Sequence, residues 1–173
     1  MDLPLRQQAR CTLDQLRAEL LQQRTASGHW VGQLSSSALS TATAVSAFSA
    51  SILYATAALG GDERQRYDSF IERGMSHLRR SQNADGGYGD TDRSHSNIAT
   101  SYLVFAASKL AEQAVGPEHA LSADQLPRLE NYLDASGRLE GLKARYGKDK
   151  TFVVPIMTNM AIAGLVDWRE VPA

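Results

Sequence analysis

The chain of 173 residues has one cysteine and few aromatic residues, and its charges almost cancel. A single cysteine excludes an intramolecular disulfide and any zinc site made of several thiolates. The four histidines lack the H-x-x-x-H and H-E-x-x-H spacings of zinc enzymes, so we expect no metal and no other cofactor. A net charge of −1 provides no positive field for nucleic acid. Walker, dinucleotide-binding and nucleophile-elbow motifs are also missing, which argues against nucleotide-dependent and hydrolase functions.

No segment of the sequence is typical of a targeting signal or a transmembrane span. Residues 1–10 contain charged residues and two glutamines, with no apolar region behind them. Residues 31–61 carry no charge, but their many Ser, Thr, Ala and Gly residues make them too polar for a helix in lipid. We therefore expect a cytoplasmic protein, with peripheral membrane contact as the alternative.

Apolar residues recur at spacings of three and four, which indicates helices, and no sustained alternation indicates strands. Three predicted helices are amphipathic and therefore peripheral: residues 5–24, 65–82 and 124–135. Each is followed by a predicted charge-free helix, buried on most sides: residues 38–59, 97–107 and 151–166. A basic loop is predicted between the last pair, around Arg145. The sequence thus predicts an all-α fold of three helical hairpins.

The hairpins form an internal repeat with a period of 58 residues. This spacing separates Trp30 from Tyr88 and Tyr88 from Tyr146, and it also separates Gly28 from Gly86. Each aromatic residue lies between an amphipathic segment and a charge-free one, which is typical of stacked structural repeats. A single hairpin cannot bury its own apolar face, so we expect residues 1–173 to form one domain of stacked hairpins.

One repeat contains a recognisable motif. Residues 82–88 read QNADGGY, which matches the Q-x-x-x-G-x-W repeat of squalene–hopene cyclases with Tyr88 in place of Trp. Residues 24–30 keep Gly28 and Trp30 but have arginine where the glutamine belongs. Over about residues 16–166, the chain therefore resembles the prenyltransferase/squalene-cyclase repeat family, whose fold is an α/α toroid. The resemblance implies a terpenoid-cyclase-like domain whose charge-free helices line a cavity for a lipophilic isoprenoid substrate.

The motif residues also have a structural role that does not depend on the family. A glycine such as Gly86 adopts turn conformations that other residues avoid. An aromatic residue such as Tyr88 covers the end of a helix pair, and Gln82 can bond the exposed backbone groups of a helix end. We therefore interpret these residues, with Gly28, Trp30 and Tyr146, as structural elements of the repeat.

The resemblance also implies a toroid with more helix pairs than the three predicted here. Three hairpins would form an open arc with apolar edges, which favours association. We accordingly expect an N-terminal portion of a larger cyclase-like protein, or a subunit that closes its ring as a homodimer or with a C-terminal half.

The chain lacks the complete aspartate motif that supplies the catalytic acid in the cyclases it resembles. Those enzymes protonate an alkene with the central aspartate of D-x-D-D, whereas this chain has only Asp90 and Asp92, followed by Arg93. A neighbouring arginine favours the charged carboxylate, which is unsuitable for a strong acid. The Ser and Asn residues behind this segment are typical helix caps, so we interpret it as a loop that caps the next helix. A catalytic role of Asp90 and Asp92 remains the alternative.

The residue types offer two other sites to consider, a zinc site at Cys11 and an anion site at a basic cluster. Protein prenyltransferases share the toroid but need an Asp–Cys–His zinc site, which Cys11 does not provide; we expect Cys11 to be a small, partly buried hydrophobe. A basic cluster could contact a diphosphate or lipid headgroup, although charges at a helix C-terminus are common. Its members are Lys143, Arg145, Lys148 and Lys150.

The low aromatic content supports a second functional hypothesis. Only 7% of the chain is aromatic, and carbocations are stabilised by aromatic faces. The sequence is therefore also compatible with a non-catalytic helical-repeat module that binds a lipid or a protein partner.

Overall fold

The computed structural model describes residues 4–55, 59–149 and 151–172. Within these residues the chain forms seven α-helices and no strand, so the all-α prediction is confirmed. The helices are α1 (Leu5–Gln22), α2 (Ala38–Tyr54), α3 (Gly61–Arg80), α4 (Ile98–Val115), α5 (Gln125–Ala135), α6 (Arg138–Tyr146) and α7 (Val153–Ile162). Short 3₁₀ turns occupy Pro117–His119 and Trp168–Glu170.

Two helix boundaries differ from the prediction for identifiable reasons. The helix predicted at residues 97–107 continues to Val115, because Lys109 and Glu112 form a surface ion pair of 3.1 Å along the helix instead of ending it. The helix predicted at residues 151–166 is shorter, because Gly164, with a φ of +73°, follows its C-terminus. Residues 56–58, near the predicted end of the second helix, lie outside the described residues.

The predicted basic loop around Arg145 is wrong. Arg145 and Tyr146 form the last turn of α6, and the chain leaves the helix at Gly147 with a φ of +57°. A left-handed Gly137, with a φ of +84°, separates α6 from α5. The helix predicted at residues 124–135 is thus α5, and the stretch predicted as a loop behind it forms a second short helix, α6. The basic residues Lys143 and Arg145 lie in the last turn of α6, where positive charge is favourable.

The chain divides into two compact units, one up to Leu34 and one from Ser35. In the first unit, α1 exposes all of its residues. The turn after α1 is tied back to it, because the indole Nε1 of Trp30 donates a hydrogen bond of 2.6 Å to the carbonyl of Leu20. The guanidinium of Arg24 lies 5.5 Å from the centre of the Trp30 ring, within the range of a cation–π contact.

In the second unit, α4 is the central element. It contacts α2, α3, α5, α6 and α7, and twelve of its residues are buried. Two of its neighbours, α2 and α7, are charge-free, and so is the first part of α4, residues 98–107, which was predicted as the charge-free helix of the second hairpin. We keep the name charge-free helices for α2, α4 and α7. The Asn159 side chain of α7 bonds the Ser46 hydroxyl of α2 at 3.2 Å, so α2 and α7 are also in contact. The three charge-free helices therefore lie side by side.

Burial on most sides is observed for α4 but not for α2. One face of α2 is buried through residues such as Val45 and Ile52, while Leu39 and Tyr54 are exposed on the helix. Because α2 has no charged residue, it presents an uncharged surface to solvent. For α2, the absence of charged residues therefore did not correctly predict burial on most sides.

The first two repeat turns have the same backbone geometry, 58 residues apart. Gly28 and Gly86 both have a φ of +87°. Each glycine N–H donates to the carbonyl three residues earlier, at 2.9 Å and 3.0 Å respectively. That earlier residue donates its own N–H to the carbonyl that follows the glycine, at 2.8 Å and 3.0 Å. The sequence repeat is thus a repeat of local structure as well.

The arginine that departs from the motif makes the bond that glutamine makes in the matching repeat. Gln82 Nε2 donates to the carbonyl of Gly86 at 2.9 Å, and Arg24 Nε donates to the carbonyl of Gly28 at 2.7 Å. Gln82 also donates to the carbonyl of Gln125, at 2.9 Å, and so connects its turn to the start of α5.

The third repeat does not form this turn. Tyr146 is the last residue of α6, so it is not the aromatic residue of a third turn of the same kind. Its ring lies 5.9 Å from that of Phe152, just before α7. The position that corresponds to Gly86 is occupied by Ala144, within α6, and a helical residue cannot adopt the positive φ that the turn requires.

Tyr88 is completely buried at the end of the second repeat turn. Its backbone N–H donates to the hydroxyl of Ser101 in α4, at 3.0 Å. Among the described residues its phenolic hydroxyl has no hydrogen-bond partner, and burial strongly raises the pKa of this group. The ring therefore contributes as an apolar body, as an aromatic cover for the helix pair requires.

We predict that Gly86→Ala destabilises the protein more than Gly164→Ala. Both glycines have positive φ, so each alanine introduces backbone strain of about 1 kcal/mol. A methyl group on Gly86 would also overlap the backbone carbonyl of Arg128, whereas one on Gly164 meets nothing within 4 Å. We expect a loss of about 3 kcal/mol at Gly86 in urea unfolding. Equal losses would contradict a close approach between the turn and α5.

The hydroxyl of Tyr88 supplies a second prediction. Tyr88→Phe removes a buried polar group without a partner, so the free energy of unfolding should stay constant or rise by up to about 1 kcal/mol. Tyr88→Ala should lower it by about 3 kcal/mol or more, because it leaves a cavity. Thermal and urea unfolding measure both. A clear loss in the phenylalanine variant would mean that the hydroxyl has a partner.

Candidate functional site

A pocket of about 260 Å³ lies at the N-terminal ends of the three charge-free helices. Its apolar wall comes from α2, α4 and α7 and from the aromatic residues that precede α7. The residues of this wall are Leu39, Ala99, Leu103, Tyr146, Phe152, Pro155 and Ile156. Its polar residues are Thr43, Asp90, Asn97, Arg145 and Asn159. A mostly apolar pocket with a few polar groups is the usual form of a small-molecule site.

Helix caps bring the parts of the pocket together. The Ser37 hydroxyl accepts a hydrogen bond from the third residue of α2, at 3.1 Å, and Asn97 Oδ1 accepts one of 3.0 Å from the third residue of α4. The loop before α4 is joined to the segment before α2, since the N–H of Asp92 donates to the carbonyl of Ser36 at 3.2 Å. Two helix N-termini and one loop consequently meet at the pocket.

Asp90 lies at the pocket and is bonded to the start of α4. Its Oδ1 accepts a hydrogen bond of 2.8 Å from Asn97 Nδ2 and another from the hydroxyl of Thr100. A carboxylate in front of a helix N-terminus is favoured by the helix dipole. The side chain is also exposed, whereas an acid that protonates an alkene works in a water-excluded site. The geometry therefore suits a hydrogen-bond acceptor better than an acid.

Asp92 is not brought together with Asp90 at the pocket. It is exposed and does not belong to the pocket lining. Among the described residues, Arg93 forms no ion pair with either carboxylate. The segment is a loop whose contacts hold helix ends, in agreement with its interpretation as a capping loop.

The basic cluster is separated into residues with different contacts. Lys143 pairs with Glu140 at 2.9 Å on the surface of α6. Arg145 lines the pocket, and its guanidinium lies 5.8 Å from the centre of the Tyr146 ring. Lys148 is exposed away from the pocket lining, and Lys150 lies outside the described residues. Within the described part of the cluster, only Arg145 contributes to the pocket.

Sequence reasoning missed the two asparagines of the pocket as site residues. The sequence predicts Asn97 only as one of the capping residues behind Asp92, a role that it also has. Asn159 is the amide in the otherwise largely apolar helix α7. A strongly polar residue in a charge-free helix was the signal that could have identified it, because such residues need a partner when they are near a core.

Other candidate residues lie apart from the pocket. Cys11 is exposed on α1, so the expectation of partial burial is wrong; all residues of this helix are at the surface. In the part of the chain that the structure describes, no three His, Cys, Asp or Glu side chains converge as metal ligands would. None of the described helices combines the length and the apolar character that crossing a membrane requires.

The comparisons with known proteins return no relative from which a site could be transferred. No protein-family model, no curated protein and no solved structure matches the chain. The function is therefore inferred from the repeat turns, the charge-free helices and the pocket.

Proposed function

We propose that this chain is a terpenoid-cyclase-like helical-repeat domain that holds part of a long isoprenoid in the pocket between α2, α4 and α7, and that it does not itself supply the proton for cyclisation. The proposal joins the repeat motif to one structural observation. That observation is the pocket itself, whose apolar wall is built from all three charge-free helices.

The wall of the pocket suits a branched hydrocarbon chain. Aliphatic side chains such as Leu39, Leu103 and Ile156 come from three different helices and face one space. Transfer of an isoprenoid from water into such a space is favourable in proportion to the apolar area that is buried. The side-by-side packing of α2, α4 and α7 supports the same proposal, because the resembled family lines its cavity with such helices.

Two features favour binding without catalysis. Asp90, which lies at the pocket, is exposed and already accepts two hydrogen bonds from α4 and its cap. Tyr146 and Phe152 are the aromatic residues of the pocket lining, which is few for a site that must stabilise a series of carbocations. The pocket thus has the means to hold a hydrocarbon and lacks the features that would start and guide a cyclisation.

Binding is tested with a matched pair of leucine variants. Leu39 lines the pocket, whereas Leu34 is 99% exposed and does not. We expect Leu39→Asp to weaken the binding of squalene by at least about tenfold, because a carboxylate would lose its hydration against the hydrocarbon. Leu34→Asp should leave the dissociation constant unchanged. Equilibrium partition of radiolabelled squalene between detergent micelles and protein measures both constants.

The same experiment can contradict the proposal. If the unaltered chain does not bind squalene, or if both aspartate variants bind as well as the unaltered chain, the pocket is not the isoprenoid site. Circular dichroism of each variant checks that the helices remain folded.

The lack of catalysis is tested separately. The purified chain, incubated with squalene in detergent, should form no cyclised product by gas chromatography and mass spectrometry. A product that disappears in Asp90→Asn or in Asp92→Asn would identify that aspartate as the acid and would overturn this part of the proposal.

A further inference from the structure

We propose that the pocket selects an isoprenoid that ends in an uncharged hydroxyl group, in preference to a pure hydrocarbon, a diphosphate or an amine. This inference rests on the proposed function, because it names the ligand class of the same pocket. The observation that carries it is the set of polar groups at one apolar pocket.

A pure hydrocarbon would form no hydrogen bonds with the polar groups of the pocket. Asp90, Arg145, Asn97 and Asn159 all line the pocket together with its aliphatic wall. Asn97, Asn159 and Asp90 Oδ1 already have hydrogen-bond partners in the protein. A ligand without hydrogen-bonding atoms would displace water from the guanidinium of Arg145 and the Oδ2 atom of Asp90 and offer no hydrogen bond in return, which is unfavourable for charged groups. A ligand with one polar end would bond them and leave its tail to the aliphatic residues.

The charges of the pocket favour a neutral end group. Among the residues that the structure describes, the lining contains one carboxylate, Asp90, and one guanidinium, Arg145, whose charges cancel. Among the described residues Arg145 has no ion-pair partner, and the Oδ2 atom of Asp90 accepts no hydrogen bond. Both groups are therefore available to a ligand.

A hydroxyl group fits this pair because it both donates and accepts. Its proton can be donated to a carboxylate oxygen of Asp90, and its oxygen can accept from the guanidinium of Arg145 or from an asparagine amide. A diphosphate would be repelled by Asp90 and would find one cation, Arg145, among the described residues of the lining, since Lys143 is paired with Glu140 outside it. An amine would be attracted by Asp90 but repelled by Arg145.

The size of the pocket indicates that only one end of the ligand enters it. Its volume of about 260 Å³ lies just below the range of roughly 300–1,000 Å³ that is usual for drug-sized ligands. A long isoprenoid would exceed this space, so the polar end and the first isoprene units would occupy it. The pocket would then distinguish isoprenoids by the chemical group at the end that enters it.

The test compares ligands that share one tail. Farnesol, farnesyl diphosphate, farnesylamine and the hydrocarbon farnesene are titrated against the chain, with dissociation constants from partition between micelles and protein. We expect farnesol to bind about tenfold more tightly than farnesene, as hydrogen bonds to charged groups allow. The diphosphate and the amine should bind more weakly than farnesol.

Variants locate the effect at the two charged residues. Asp90→Asn keeps an oxygen for the bonds to Asn97 and Thr100, and Arg145→Gln removes the guanidinium from an exposed position. Each should weaken farnesol binding by about tenfold but should not weaken farnesene binding, because a hydrocarbon forms no hydrogen bond with either residue. Lys148→Gln is the matched control, since Lys148 is near Arg145 in the chain but does not line the pocket. Thermal unfolding verifies that each variant is folded.

The outcomes separate this inference from the proposed function. If farnesene binds as tightly as farnesol and Leu39→Asp weakens both, the isoprenoid pocket stands and hydroxyl selection is overturned. Tighter binding of the diphosphate or the amine overturns it as well. If none of the four ligands binds, both proposals fail.

Discussion

The close approach of the Gly86 turn to α5 is the constraint on which the architecture of the second unit depends. Gly86 has a positive φ and no side chain, and this allows the turn to lie directly against the backbone of Arg128. Gln82 bonds the carbonyl of Gln125 from the turn, and the guanidinium of Arg128 returns a bond of 3.1 Å to the carbonyl of Asn83. Three close contacts between residues more than 40 positions apart thus join the second hairpin to the third.

The position of α4 follows from this junction. The turn leads into Tyr88, whose buried ring and bonded N–H attach the chain to Ser101 of α4. Asp90 and Asn97 then complete the loop at the N-terminus of the same helix. Because α4 contacts every other helix from α2 to α7, a change in the conformation of the Gly86 turn would displace the wall of the pocket as well as the core.

The pocket combines residues with two different tasks. Asp90 and Asn97 bond the start of α4 and also line the pocket, so they hold the fold and are available to a ligand. Arg145 reaches the pocket from the end of α6, where the helix dipole favours its charge. Under the proposed function, these bonds would hold the polar groups of the pocket in place before a ligand binds, which would reduce the entropic cost of binding.

The sequence by itself determined the features that depend on neighbouring residues in the chain. Periodic apolar residues indicated the helices, and the 58-residue spacing located two equal turns, because their hydrogen bonds join residues no more than four positions apart. The Asn97 cap belongs to the same class, since its acceptor and donor are three residues apart. The helix α6 was not predicted from the sequence, because the glycine in front of it, Gly137, also marks a simple end of α5.

Only the tertiary structure decided which residues form the pocket and which face of α2 is exposed. Asn159 and Thr43 are far apart in the chain, and they meet at the pocket because α2 and α7 both pack beside α4. In the sequence, Arg145 is one of four similar basic residues. In the structure it lies in the last turn of α6, at a position that lines the pocket. Contacts of this kind arise from packing between distant segments, which local composition and periodicity do not encode.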